Sequence, residues 1–219
     1  MFKQRSAVLT TIVVVIALLG VRHARADMAG GVLANSSGAS TQAQARMRYV
    51  AAGDMHTCVV LHNGSVKCFG LGADGQLGNG TGLDSGYSTS SSVATTAAIE
   101  LGLRRTARAI AVGSAHSCAL LDNFTVKCWG RSTYGQLGYG DTVSRGDGAG
   151  EMAALVAIDF GAGRTATAIA VGSLHSCALL DNSAVKCWGR NQYGQLGYGD
   201  TDSRGDSAGE MGDALLAID

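Results

Sequence analysis

The sequence predicts an all-β chain: three repeated units of four short strands each. Three observations carry that prediction. The first is internal repetition. "HTCVVLHNGSVKCFG" (His56 to Gly70) returns as "HSCALLDNFTVKCWG" (His116 to Gly130) and as "HSCALLDNSAVKCWG" (His175 to Gly189). The second is strand-length apolar runs divided by Gly, Asn, Asp and Ser, with no long 3.6-residue stripe and no helix caps. The third is composition. Among 219 residues there are 32 Gly, no Pro and only 16% charged residues, which suits short strands and tight turns.

The chain opens "MFKQRSAVLTTIVVVIALLGVRHARAD". Lys3 and Arg5 give a basic start, Ala7 to Gly20 an apolar run, and Ala24-Arg25-Ala26 small residues two apart. That pattern predicts a secretory signal over residues 1–26, cleaved after Ala26. As a helix the run spans roughly 21 Å, short of the ~30 Å hydrocarbon core, so a membrane anchor fits poorly. The expectation is an exported protein with no membrane association after cleavage. Residues 27–46, rich in Gly, Ser, Ala and Gln, read as a flexible leader. The repeats occupy 47–219, as units 47–106, 107–165 and 166–219. Cys58 and Cys118 are 60 positions apart, Cys118 and Cys177 59.

Unit two shows the strands most clearly. "ARAIAVG" is the first, "HSCALL" the second, "TVKCW" the third and "ALVAID" the fourth. Such units stack as propeller blades or as turns of a β-solenoid.

The pattern G-x-x-H-[ST]-C, then W-G, then G-Q-L-G, as in "VKCWGRNQYGQLGYG", resembles the repeat of the regulator-of-chromosome-condensation family over roughly residues 48–219. The resemblance implies a β-propeller of four-stranded blades, usually seven around an axis. It implies that Gly70, Gly130 and Gly189 turn the chain where a Cβ clashes. It implies that Leu77, Leu137 and Leu196 enter the core, and that Trp129 and Trp188, with Phe69 in their place in unit one, pack between blades. Three units do not close such a ring. The expectation is an open arc, a fragment of a longer array, or self-association that covers exposed blade edges.

Six cysteines in an exported chain predict disulfides. Zinc pairs are usually spaced C-x₂₋₄-C, whereas these pairs are ten apart and sit in separate units. A redox centre calls for C-x-x-C at a helix start, which is absent. The pairing expected is Cys58–Cys68, Cys118–Cys128 and Cys177–Cys187, each loop of about eleven residues contributing about 2.5–3 kcal/mol. A two-residue turn would place the paired cysteines on opposite faces, so an odd hairpin loop or a bulge is required. Gly64 suits the left-handed position of a three-residue loop. Phe124 is strained there, which predicts a wider loop or a bulge in unit two.

His56, His116 and His175 precede each first cysteine and are expected to be buried, hydrogen-bonded and structural, as no serine in the sequence pairs with them. "DTDSRGD" (Asp200 to Asp206) faintly resembles a calcium loop, with Arg204 in place of a carboxylate. Arg145-Gly146-Asp147 and Arg204-Gly205-Asp206 are adhesion-type tripeptides. Asn35, Asn63, Asn79 and Asn123 begin N-x-[ST] sequons. Zero net charge and scattered basic residues give no nucleic-acid stripe, and no phosphate loop or cofactor motif is present. The function expected is non-enzymatic protein recognition outside the cytoplasm, on loops bearing Tyr134, Tyr139, Tyr193 and Tyr198. The resemblance supplies a rival, guanine-nucleotide exchange on a small GTPase, and a fragment without independent function is a third reading.

Overall fold

The computed structural model describes residues 47–218. The expected signal (1–26), the expected leader (27–46) and Asn35 lie outside the described residues.

Three antiparallel sheets follow one another along the chain. The first has β1 (Met47–Ala52), β2 (His56–Leu61) and β3 (Val66–Gly70); the second β4 (Ala107–Val112), β5 (His116–Leu121) and β6 (Val126–Gly130); the third β7 (Ala166–Val171), β8 (His175–Leu180) and β9 (Val185–Gly189). Each is a meander with its middle strand central. The sheets stack as blades of an open arc, and one apolar cluster fills each of the two gaps. Leu77, Leu121 and Trp129 anchor the first cluster; Leu137, Leu180 and Trp188 anchor the second.

The fourth strand is where the structure departs from expectation. The blades have three ladder strands, and the fourth position makes one backbone bond per unit. Ile99 N donates to Val66 O, Ile158 N to Val126 O and Ile218 N to Val185 O, each at 2.8 Å. These segments are held by side chains instead. Leu155, Ile158 and Leu215 are buried, and the hydroxyls of Tyr139 and Tyr198 reach Val156 O and Leu216 O.

Each central hairpin is disulfide-bonded across directly paired residues: Cys58–Cys68, Cys118–Cys128 and Cys177–Cys187. The loop that permits this register has three residues in every unit. Leu61 N donates to Ser65 O, Leu121 N to Thr125 O and Leu180 N to Ala184 O. The left-handed residue is Gly64 (φ 80°), Phe124 (φ 64°) or Ser183 (φ 68°).

The wider loop or hairpin bulge expected in unit two is therefore wrong. Phe124 accepts the left-handed backbone because its surroundings fix it. Asn123 Oδ1 accepts from Thr125 N (3.3 Å) and Thr125 Oγ1 (2.8 Å). Phe124 O accepts Ala166 N of the next unit (2.9 Å), and the Arg108 guanidinium lies 4.6 Å over the ring. The bulge in each unit falls elsewhere, between the first two strands, at Arg48, Arg108 and Thr167.

Candidate functional site

Two of the three repeated histidines, His56 and His116, lie at the two joints between units. Strand alternation sends His56 and Cys58 of β2 toward unit two, and sends Ser117 and Trp129 back toward unit one. There His56 Nε2 lies 2.8 Å from Ser117 Oγ. Ser117 Oγ donates to Gln76 O (3.0 Å), and Trp129 Nε1 donates to the same carbonyl (3.0 Å). The second joint repeats this. His116 Nε2 meets Ser176 Oγ (3.0 Å), while Ser176 Oγ (2.9 Å) and Trp188 Nε1 (3.0 Å) both donate to Gln136 O.

The serine hydrogen is committed to a carbonyl, so serine accepts the Nε2 proton and each histidine is the neutral Nε2–H tautomer. Among the described residues, nothing partners Nδ1 of His56 or of His116. A charged ring needs a second acceptor there. Burial accordingly pushes His56 down to about 4, against an opposing pull from Asp54. Burial pushes His116 down to about 3, with His56 and His175 adding to it. His175 is lowered by burial alone.

The sequence reading found no serine partner for these histidines; the structure supplies one from the following unit. Ser117 and Ser176 are fully buried, so the His–Ser pair closes a joint and offers no accessible nucleophile. The joint is also tight along the backbone. Gly80 N donates to Gly146 O (3.0 Å) and Gly140 N to Gly205 O (3.1 Å). A Cβ on Gly75 would strike the backbone at Arg145 and Asp147.

Both Arg-Gly-Asp tripeptides therefore border joints, with Gly146 and Gly205 buried there and Asp147 exposed. Their arginines are engaged locally: Arg145 with Asp141 (2.6 Å) and under it the Tyr139 ring, Arg204 with Asp200 (2.6 Å) and the Tyr198 ring. These partners hold Asp141 and Asp200 below the usual carboxylate range. The same pairing takes up Asp200 in the calcium-like loop, and Glu210 Oε2 accepts three backbone N–H groups from Gly205, Asp206 and Ser207. Among the described residues no cluster of three His, Cys, Asp or Glu side chains has a metal-holding arrangement.

The four loop tyrosines divide. Tyr139 and Tyr198 are clamps whose hydroxyls bond the Cys128 and Cys187 backbone. Burial raises both above the usual phenol range. Tyr134 and Tyr193 remain at the surface, flanking the Arg190 guanidinium at 5.0 and 5.8 Å, and Tyr193 is 83% exposed. In unit one, Asp74 stands where these tyrosines do, and it pairs with Arg131 across the joint (3.1 Å). Asn63 and Asn123 are exposed at hairpin tips; Asn79 is exposed but its amide donates to Leu83 O.

These features define a class: an open arc of β-propeller blades locked by repeated His–Ser–carbonyl joints. The family follows from sequence. The pattern described as the regulator of chromosome condensation (RCC1) repeat matches residues 48–76, 107–136 and 166–195, and the chain is an RCC1-repeat protein.

It is 31% identical over 157 residues to the Ultraviolet-B receptor UVR8 of Arabidopsis thaliana, covering 71% of this chain and 32% of that one. To the human Probable E3 ubiquitin-protein ligase HERC4 it is 37% identical over 95 residues, covering 43% of this chain and 8% of the relative. Yeast RCC1 (Prp20), solved bound to Kap60, superposes with TM-score 0.53 at 23% identity, covering 72% of this chain and 32% of that one. The chain thus spans no more than about a third of the length of these relatives.

Proposed function

We propose that this chain is a non-enzymatic protein-recognition module working outside the cytoplasm. The observation that carries the reading is the Arg190 guanidinium held between Tyr134 and the exposed Tyr193. Rigid amphipathic rings around a fixed cation make a protein-binding patch of low ordering cost. Three disulfides support an oxidising compartment, as does the signal-like N-terminus. Among the described residues no helix is long and apolar enough to cross a membrane. In such a compartment of a eukaryotic cell, Asn63 and Asn123 would be glycan acceptors at exposed tips.

Two measurements test the reading. Intact mass of the protein recovered from the medium, with and without reductant, should show cleavage after Ala26 and six cysteines paired. Recovery from cells only, with six free thiols, overturns the compartment. A photo-crosslinking residue at Tyr193 should capture a discrete extracellular protein, and Arg190→Ala should abolish capture. Capture that survives Arg190→Ala overturns the patch. Nucleotide exchange rests on the family's founding member and on fold alone; release of labelled GDP from a small GTPase by the purified chain would replace the present reading with that one.

A further inference from the structure

We propose that copies of this chain associate head to tail, the third sheet of one against the first sheet of the next, by repeating the chain's own blade joint. The joint has two halves, and among the described residues one half is left uncovered on the third sheet and the other on the first. The half offered by the third sheet is the face that carries histidine and cysteine. In the first two units its apolar members Val60, Val66, Leu120 and Val126 are buried. In unit three Leu179 is 39% exposed, and His175, Cys177 and Val185 are half-buried. The backbone half is present too. Gly135 packs against Gly205 and Asp206 of its neighbour and Gly140 against Ser207 and Ala208, whereas among the described residues their counterparts Gly194 and Gly199 meet no neighbouring unit.

The first sheet offers the complementary half. Thr57 pairs with Phe69 on one face, as Ser117 pairs with Trp129 and Ser176 with Trp188. Ser85 exchanges two backbone bonds with Gly70, as Arg145 does with Gly130 and Arg204 with Gly189. Gly86 (φ 98°) repeats the conformation of Gly146 (φ 106°) and Gly205 (φ 85°). Phe69, Leu71, Asp84 and Tyr87 line an open groove of about 380 Å³ here, with Tyr87 80% and Val50 68% exposed.

Seated together, the Thr57 hydroxyl of a second copy accepts from His175 Nε2 and donates to Gln195 O. Gly199 N donates to Gly86 O. The one element missing is the indole N–H, because Phe69 has none to offer Gln195 O. The intermolecular joint is therefore a weakened copy of the internal one. Such a contact is heterologous, so it builds rings or chains rather than a two-fold dimer.

That missing donor makes the test. Sedimentation of the full-length protein over a wide concentration range should show mass rising with concentration. Phe69→Trp, the residue that units two and three already use, should tighten association about five- to tenfold by restoring one buried hydrogen bond. Leu179→Lys, at a position already partly exposed, should hold the protein at single-chain mass with an unchanged unfolding transition. Single-chain mass for both wild type and Phe69→Trp overturns the proposal. So does association that Leu179→Lys leaves intact. Tyr193 borders this surface, at the position whose unit-one counterpart Asp74 crosses the first joint to Arg131, so sedimentation of the purified chain alone is read separately from capture of a different protein at Tyr193.

Discussion

At the scale of single residues, the joint histidines make stability depend on pH. The folded protein holds His56 near 4 and His116 near 3, below the ordinary value of 6.5. The unfolded chain therefore binds more protons than the folded one throughout the interval between. Stability from the neutral rings is complete above about pH 6.5 and is lost as pH falls toward 4 and then 3. Urea midpoints at pH 7.5, 5.5 and 4.5 should fall steadily, and His116→Gln should flatten the fall while costing stability at pH 7.5. A midpoint that does not move between pH 7.5 and 4.5 would contradict the neutral, proton-poor joint.

How legible these residues were follows from where their partners sit. Trp129, Leu137 and Cys118 announce themselves because burial and pairing follow from residue type and local alternation. Ser117 did not. Within its own unit it points away from His116, and only the stacking of one unit on the next turns it toward His56, 61 positions earlier. A repeat read as one unit hides every contact made between units. The useful signal is that a residue on one face of a repeat meets the opposite face of its neighbour.

At the scale of the element, the hairpin was legible in its pairing and parity but not in its tolerance. Cysteines ten apart demand an odd loop, and three residues is what all units adopt. Propensity argued against Phe124 in a left-handed backbone, yet an Asx turn, a neighbour's N–H and Arg108 override it. The strain remains a cost of about 1–2 kcal/mol, against about 0.5–1 kcal/mol from the cation over the ring. Phe124→Gly should therefore stabilise the protein by about 0.5–1 kcal/mol, read as a higher urea midpoint with an unchanged slope. The disulfides are not equivalent either. Cys58–Cys68 and Cys118–Cys128 are buried under the following unit, while Cys177 is half-buried on the uncovered face. Timed reduction with alkylation and peptide mapping should find Cys177 and Cys187 modified first. Simultaneous labelling of all six would mean that the arc opens globally before any local access.

At the scale of the whole molecule, the repeats made the arc legible, since period, strand lengths and turn residues all pointed to stacked β units. The missing ladder of the fourth strand was not legible. An apolar run such as "ALVAID" satisfies both a strand and a buried strap, and the choice is made by the Tyr139 and Tyr198 hydroxyls that bind its carbonyls. The arrangement also sets a gradient of stability, because a stacked array is held by its nearest neighbours. Unit two has a joint on each side, and every residue of β5 is buried; β8, with one joint, alternates between buried and partly exposed. Local opening is easiest where fewest apolar contacts must break. Hydrogen exchange should therefore protect the β5 amides of Ala119 and Leu120 longest and release the matching β8 amides of Ala178 and Leu179 sooner. The strands are paired alike in their own sheets, so the difference reports stacking alone. Ser176→Ala, which removes the acceptor of His116 Nε2 and one of the two donors to Gln136 O, should speed exchange in β8 and in β5 while leaving β2 little changed. Equal exchange in β5 and β8 of the wild type would show instead that the three blades unfold as one block.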